Sequence, residues 1–533
     1  MMAPAQELES RQRLVAALLD PHRYPEAVRQ VCLIETHISW VLLAGRYAYK
    51  IKKPLNLGFL DFSTLELRRH YCEEEFRLNR RLAPQLYLGV TAIGGDPDHP
   101  QLGAQPAIEY AVKMRRFPAA CLMDRQLARG GIAPQHIDKL AATLARFHAG
   151  LSAAAPDTPF GSLAEIRAAA MQNFEQLQPL LGTDEGVTQL QAATGAELAA
   201  CAAIFEQRRT AGFVRECHGD LHLGNIALIN DIPVPFDGIE FNPALRWIDV
   251  MDELAFPVMD LLHRNRPELA WRLLNAYLEI TGDYVGMAVL RFYLAYRATV
   301  RAKVDAIRAA QPGLRRRAAN DLLHTSKNYL DLARNCLANP SPALIITHGL
   351  PGSGKTTFAQ SALEHLGAIR IRSDVERKRL HGLDALNDSR SRFGESLYST
   401  GATQRTYARL LDLARELLEY GFPVIVDAAF LREEERARFR ELARQMQVPF
   451  AIAAMPSDKQ LLRTRIARRR MQASDASEAD IAVLEKLAAV AEPLTRQELR
   501  RTADFADGAR GWKALEKLLD NGAEAHLRGV PPQ

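Results

Sequence analysis

The chain has 533 residues, more than one hydrophobic core ordinarily serves, so two or three domains are expected. Hydrophobic residues make up 47% and charged residues 25%, which excludes a disordered or fibrous chain. Sixty-eight basic against 63 acidic residues leave a net charge of +5, too even a balance for a general nucleic-acid binder.

The N-terminal stretch lacks the apolar core of a signal peptide, and no run of about 18 apolar residues predicts a membrane span. Six scattered cysteines without a C-x-x-C pair argue against a zinc site or a disulfide framework. The expectation is a cytoplasmic protein with reduced thiols and no membrane partner. The composition does not bear on oligomeric state.

After a short helix, residues 31–36, 40–44 and 47–52 read as strands, the last two joined tightly at Gly45-Arg46. A charged helix follows over 65–82, then a strand over 107–114. From about 133 the chain reads as mostly helical, interrupted at 218–240. Residues 337–342, LANPSP, carry two prolines between a helical segment and an apolar run, and mark a seam. The expected domains are therefore 1–337 and 343–533, with 338–342 as linker. Beyond the seam, strands over 343–347, 368–371, 423–426 and 450–454 alternate with helices, which predicts an α/β domain with a parallel sheet.

The interruption at 218–240 is rich in chemistry. His218-Gly219-Asp220 is followed by Asn225 and, after a short hairpin over 226–236, by Asp237. At this spacing Asp220 would orient or deprotonate an attacking hydroxyl, and Asn225 and Asp237 would ligate Mg²⁺. HGD, Asn225, Asp237 and a β-rich lobe placed before them resemble the aminoglycoside-phosphotransferase and choline-kinase group of protein-kinase-like folds, over about 31–310. The resemblance implies an α+β fold and an upstream lysine paired with a helix glutamate. Lys50 and Lys52 share one strand face, so either could reach the α- and β-phosphates; Lys50 is the first choice. Glu73, Glu74 and Glu75 offer the carboxylate, and Glu75 is preferred because it leaves Phe76 and Leu82 for packing. Residues 110–114 with Arg115-Arg116-Phe117-Pro118 would form the interlobe hinge that holds adenine. Asp249 and Asp252 match a further acidic cluster of that group and read as structural. One departure is the turn ETHIS over 35–39, which has no glycine, so a glycine-rich phosphate loop is absent there.

The second domain opens on ALIITHGLPGSGKTTFAQ, a strand, G-x-x-x-x-G-K-[ST] and a helix. Gly349, Gly352 and Gly354 let the backbone wrap, so that N–H groups along Leu350, Ser353 and Thr357 point at phosphate oxygens, while Pro351 contributes its fixed turn. Lys355 would reach the β- and γ-phosphates, and the Thr356 hydroxyl would ligate Mg²⁺. The strand VIVD ends in Asp427, the form of a second Mg²⁺ ligand. Asp374, in RSD, is placed either to accept a hydroxyl proton or, with Ser373, to cap a helix. Arg465, Arg468 and Arg469 recur at helical spacing, as a phosphate-neutralising lid requires; Arg465 and Arg469 are the candidates. These motifs resemble the small P-loop kinases of the zeta-toxin, polynucleotide-kinase and gluconate-kinase type, over about 341–519.

Taken whole, the chain resembles bacterial two-domain proteins described as bifunctional aminoglycoside phosphotransferase-like and ATP-binding. YKIKKPLNLGFLDFSTLELRRHYCEEEFRLNRRL and FDGIEFNPALRWIDVMDELAF carry that resemblance. It implies an ATP- and Mg²⁺-dependent phosphotransferase with a small-molecule hydroxyl acceptor. Two readings compete: a nucleotide sensor or scaffold with one silent domain, and a kinase of nucleic-acid ends in the second domain, which the even charge balance does not favour.

Overall fold

The computed structural model describes the chain apart from residues 1–3, 59, 183–184, 312, 339–341, 384–398, 457, 459, 461, 466–480 and 528–533. It divides into two compact units, Met1–Pro179 with Leu198–Asp260, and Leu180–Glu197 with Leu261–Gln533. Among the described residues no helix is long and apolar enough to cross a membrane.

The first unit is built on a six-stranded antiparallel sheet. Its strands are β1 (Val31–Glu35), β2 (Ser39–Ala44), β3 (Tyr47–Lys52), β4 (Tyr87–Gly95), β5 (Pro100–Leu102) and β6 (Ala107–Arg115), in the order β1-β2-β3-β6-β4-β5. Alternation decides which residues each face receives. Trp40, Leu42, Ala44, Tyr49 and Ile51 are buried on one face against Leu14 and Val15 of the helix Pro4–Ala17 and Leu18 just after it. The intervening Lys50 and Lys52 therefore face the other side. There the helix Leu65–Asn79 packs Cys72 with Val112 and Tyr87. Thr64 starts this helix by accepting the Leu67 N–H on its hydroxyl at 3.2 Å. Arg68, wholly buried, locks it in place: its guanidinium donates to both oxygens of Glu109 on β6 at 2.9 and 3.0 Å, and to the Phe62 carbonyl at 2.9 Å.

Further along, β7 (Val214–Glu216) pairs antiparallel with β10 (Trp247–Asp249), and β8 (Ile226–Ile229) forms a hairpin with β9 (Ile232–Pro235). Asn230 and Asp231 both adopt positive φ, 50° and 59°, as the two-residue turn requires. Neither β4, β5, β7 nor β10 was expected from the sequence pattern. Asp249 is buried and receives Arg208 through two bonds of 2.7 and 2.8 Å, while its Oδ1 accepts the Met251 N–H.

The second unit carries a five-stranded parallel sheet of β11 (Leu344–His348), β12 (Ile369–Arg372), β13 (Val424–Asp427), β14 (Phe450–Ala454) and β15 (Thr502–Asp504), ordered β12-β13-β11-β14-β15. The first four match the expected strands, and β15 extends the edge. Ile345, Ile425 and Ala451 pack with Phe358, Ala359, Ala362 and Leu363 of the helix Lys355–Leu366. Leu515 of the helix Gly508–Leu527 completes that core.

Removing one partner of a buried, bidentate ion pair strands the other charge. Asp249→Ala is therefore expected to destabilise the protein by about 3 kcal/mol, read as a lower denaturation midpoint in urea.

Candidate functional site

In the first unit the sheet and the helix Leu65–Asn79 converge on one carboxylate. Glu75 is fully buried; its Oε1 lies 2.9 Å from Lys50 Nζ and its Oε2 2.8 Å from Lys52 Nζ. Each lysine also meets a second carboxylate. Lys50 donates to Asp237 Oδ1 at 2.5 Å, and Lys52 pairs with Glu240. Both lysines are buried, Lys52 with 1% and Lys50 with 11% of its side chain exposed, but Asp237, the partner of Lys50, is 43% exposed. Burial works against the charge on Lys50, but Asp237, Glu75 and Glu240 outweigh it and hold its pKa well above the ordinary lysine value.

The loop bearing Asp237 is tied at every residue. The Phe236 N–H donates to the Asn225 carbonyl at 2.9 Å, which closes the β8–β9 hairpin. The Asp237 N–H donates to the Tyr87 hydroxyl at 3.1 Å, and the Gly238 N–H to Asn79 Oδ1 at 2.7 Å. Asp237 itself has φ 63°, an uncommon conformation for a non-glycine residue. His218 sits beneath, its Nε2 2.8 Å from the Phe236 carbonyl. Asp220 is partly exposed at 37%; Asn225 Nδ2 donates to its Oδ2 at 2.9 Å, and His222 Nε2 lies 3.6 Å away. Gly219 has φ 87°, and a Cβ there would lie 2.6 Å from the Leu245 carbonyl oxygen, so only glycine serves. Glu253, fully buried, accepts the His218 and Gly219 N–H groups at 2.7 and 2.9 Å. His148, Cys217 and Glu253 bring ligand-type atoms within 4.8 Å of one another. Glu253 is already engaged by the two amides, and so anchors the loop at His218 and Gly219.

In the second unit the loop between β11 and the helix Lys355–Leu366 has Gly349, Gly352 and Gly354 at φ 147°, 80° and 99°. A Cβ on Gly349 would meet Ser353 Oγ at 2.8 Å. The Ser353 hydroxyl is buried with no hydrogen-bond partner among the described residues. Lys355 Nζ donates to the Gly349 and Leu350 carbonyls at 2.9 and 3.0 Å. Thr347 Oγ1 on β11 accepts the Ala428 N–H at 3.1 Å and donates to the Ala428 carbonyl at 2.7 Å, which fixes the end of β13 beside the loop. Asp427, at that end, is buried; burial pushes its carboxyl above the usual range, opposed by Arg372, Arg370 and Lys355. Arg465 Nη1 reaches the Ser353 carbonyl at 3.5 Å.

Ser373 and Asp374 are the first residues of the helix Ser373–Leu380, and neither side chain caps it; Arg377 Nη1 lies 3.2 Å from Asp374 Oδ1. Pro351, Gly352, Ser353, Gly354, Lys355, Thr356, Thr357, Asp374, Asp427 and Arg465 all line one cavity of about 850 Å³. Arg469 lies outside the described residues, as do Arg468 and residues 339–341 of the seam.

The donors fit a hard divalent cation in both units. Asn225 with Asp237, and Thr356 with Asp427, offer amide, carboxylate and hydroxyl oxygens, with no competing thiolate or imidazole in either set. In the second unit the buried Ser353 hydroxyl, beside Gly349, is a polar group left without a partner among the described residues, as a site for a polar guest would leave it.

Sequence reasoning kept Lys52 as an alternate to Lys50, and the structure places both on Glu75. It missed Glu240, Asn79 and Tyr87. Only Glu240 had a local signal, an acidic residue three positions after Asp237.

A protein-kinase-like α+β fold followed by a P-loop α/β fold is the class of protein that these sheets and loops define. Residues 344–494 match the family model AAA_33, described as an AAA domain. The chain belongs to the family of the "Uncharacterized protein Rv2004c" of Mycobacterium tuberculosis (strain ATCC 25618 / H37Rv), with 32% identity over 415 residues, 77% of this chain and 80% of that protein. The "Uncharacterized protein Mb2027c" of Mycobacterium bovis (strain ATCC BAA-935 / AF2122/97) matches to the same extent. Among solved structures, a gluconokinase from Sinorhizobium meliloti 1021 is 19% identical over 34% of this chain and 96% of its own, with a TM-score of 0.26. The amicoumacin kinase hAmiN is 14% identical over 61% of this chain and 95% of its own, with a TM-score of 0.40. A choline/ethanolamine kinase family protein from Mesorhizobium loti is 13% identical over 62% of this chain and all of its own (100%), with a TM-score of 0.35. These scores are low, and the architecture rests on the topology above.

Burial, reinforced by Arg215, drives the pKa of His148 from its ordinary 6.5 to about 3. Between those values the unfolded chain binds one more proton than the folded protein, so this residue's contribution to stability is complete above pH 6.5 and is lost as pH falls toward 3. Denaturant titrations from pH 7 downward should show that His148→Gln removes up to about 1.4 kcal/mol per pH unit of that slope.

Proposed function

We propose that the chain is an ATP-dependent phosphotransferase with two nucleotide sites, one in each unit, each passing phosphate to a small hydroxyl compound. Its domains on this reading are residues 1–337 and 343–533. The observation that supports it is a duplicated set of parts. Each unit sets a lysine within a cluster that includes a carboxylate suited to a metal, Lys50 with Asp237 and Lys355 with Asp427, and each adds a second, partly exposed carboxylate, Asp220 or Asp374.

In the first unit Lys50, steered by Glu75, would bind the nucleotide's α- and β-phosphates. Asn225 and Asp237 would hold Mg²⁺, and Asp220 would take the proton of the acceptor hydroxyl. The Asn225 amide N–H keeps the Asp220 carboxylate oriented. In the second unit the N–H groups of the loop and Lys355 would bind phosphates, Thr356 and Asp427 would hold Mg²⁺, Asp374 would accept the hydroxyl proton, and Arg465 and Arg469 would neutralise the transferring group. Bound Mg²⁺ supplies charge neutralisation at the phosphate oxygens in both places.

A second reading, a first unit that binds nucleotide without transferring phosphate, has one observation in its favour. The β1–β2 turn contains no glycine to lay backbone over a triphosphate.

A metabolite screen with labelled ATP separates the readings. Lys355→Ala and Asp220→Ala are each expected to lose a different transfer activity by at least about 100-fold while keeping the other. Full retention of every activity in Asp220→Ala would leave the first unit as a silent nucleotide binder. Retention in both variants would contradict the proposal.

A further inference from the structure

The edge of the P-loop sheet is finished by a helix from far upstream. In the helix Pro267–Thr281, Trp271, Asn275 and Glu279 recur every fourth residue and so share one face. Trp271 packs on the P-loop core and covers Gly367, where a Cβ would lie 2.9 Å from its ring. Asn275 stands in for a neighbouring strand: its Nδ2 donates to the Ala368 carbonyl at 3.0 Å and its Oδ1 accepts the Arg370 N–H at 2.7 Å. Glu279 then meets two side chains of β12. Its Oε1 accepts Arg370 Nε at 2.8 Å, and its Oε2 lies 3.4 Å from Arg372 Nη1. Arg372 is opposite Asp427 in the strand register, with its Nε 3.7 Å from Asp427 Oδ2.

Arg370 and Arg372 project from the same face of β12 and are both buried. Without Glu279, the guanidinium groups of Arg370 and Arg372 would draw more strongly on Asp427 and compete with any cation for that carboxylate. Glu279 supplies the counter-charge on their far side. We propose that Glu279 is a positioning residue of the P-loop site, holding Arg370 and Arg372 so that the Asp427 carboxylate is available to a divalent cation. The inference rests on the phosphotransferase reading of the second unit. It makes that site dependent on a helix that precedes the 338–342 seam.

The test is direct Mn²⁺ binding, followed by the electron paramagnetic resonance signal of free Mn²⁺ with a non-hydrolysable ATP analogue present. The full chain carries Asp237→Asn throughout, so that the candidate ligand of the first unit is removed. Glu279→Gln is expected to weaken Mn²⁺ binding about tenfold. Adding Arg372→Gln should restore the parent constant to within about twofold, because the competing guanidinium is gone. Arg272→Gln breaks the 2.8 Å pair between this same helix and Glu364, and should leave Mn²⁺ binding unchanged. An unchanged constant in folded Glu279→Gln, or an equal loss in Arg272→Gln, would reduce Glu279 to a docking contact and overturn the proposal. Should Glu279→Gln fail to fold, Glu279→Gln with Arg370→Gln, which removes one charge of each sign, takes its place: the same tenfold loss supports the proposal and no loss overturns it. Absence of Mn²⁺ binding at the P-loop of the parent chain would overturn the phosphotransferase reading of that unit as well.

Discussion

A carboxylate taken wholly out of water must be met by cations, and in the first unit that carboxylate is Glu75. Its two oxygens hold Lys50 and Lys52, and those lysines in turn hold Asp237 and Glu240. The strand β3, the helix Leu65–Asn79 and the loop after β9 are thereby fixed relative to one another by charge. The remaining polar contacts serve the same end. Arg68 pins the helix to β6, and Asn79 and Tyr87 receive the amides that flank Asp237. Lys52 lies at the closed end of this network, which suits it to hold Glu75 in place. Lys50 lies at the open end, which suits it to a phosphate.

The second unit solves the same problem with arginine. Asp427 is buried at the end of a central parallel strand, and the guanidinium groups of β12 lie beside it. Arg436 and Glu498, each 1% exposed, form a further buried pair at 2.7 Å in this unit. Planar guanidinium groups can serve two carboxylates from opposite edges, as Arg372 does between Glu279 and Asp427. An ammonium group in that place would offer no such geometry.

Much of this was legible in the residues because the chemistry is local. A loop that wraps backbone around phosphate needs glycines at fixed offsets, so Gly349, Gly352 and Gly354 declare themselves. The short runs between residues 226 and 236 likewise predict the hairpin that brings residue 225 to residue 236. Lys50 and Lys52 could not be separated, because alternation puts both on one face and only burial distinguishes them. The strand β4 contains Gly89, Gly94 and Gly95, which read as turn signals, and β15 is three residues long, too short for a period. Glu279 had no signal at all. Trp271, Asn275 and Glu279 form a mostly polar stripe, which in isolation reads as a solvated helix face; its meaning comes from the β12 edge it meets.

The central claim is that one chain carries two separate nucleotide sites. Calorimetric titration of the full chain with a non-hydrolysable ATP analogue and Mg²⁺ tests it most directly. The account predicts two nucleotides bound per chain, falling to one in Lys355→Ala and to one in Asp237→Asn. A single nucleotide per wild-type chain, lost in only one of those variants, would contradict it.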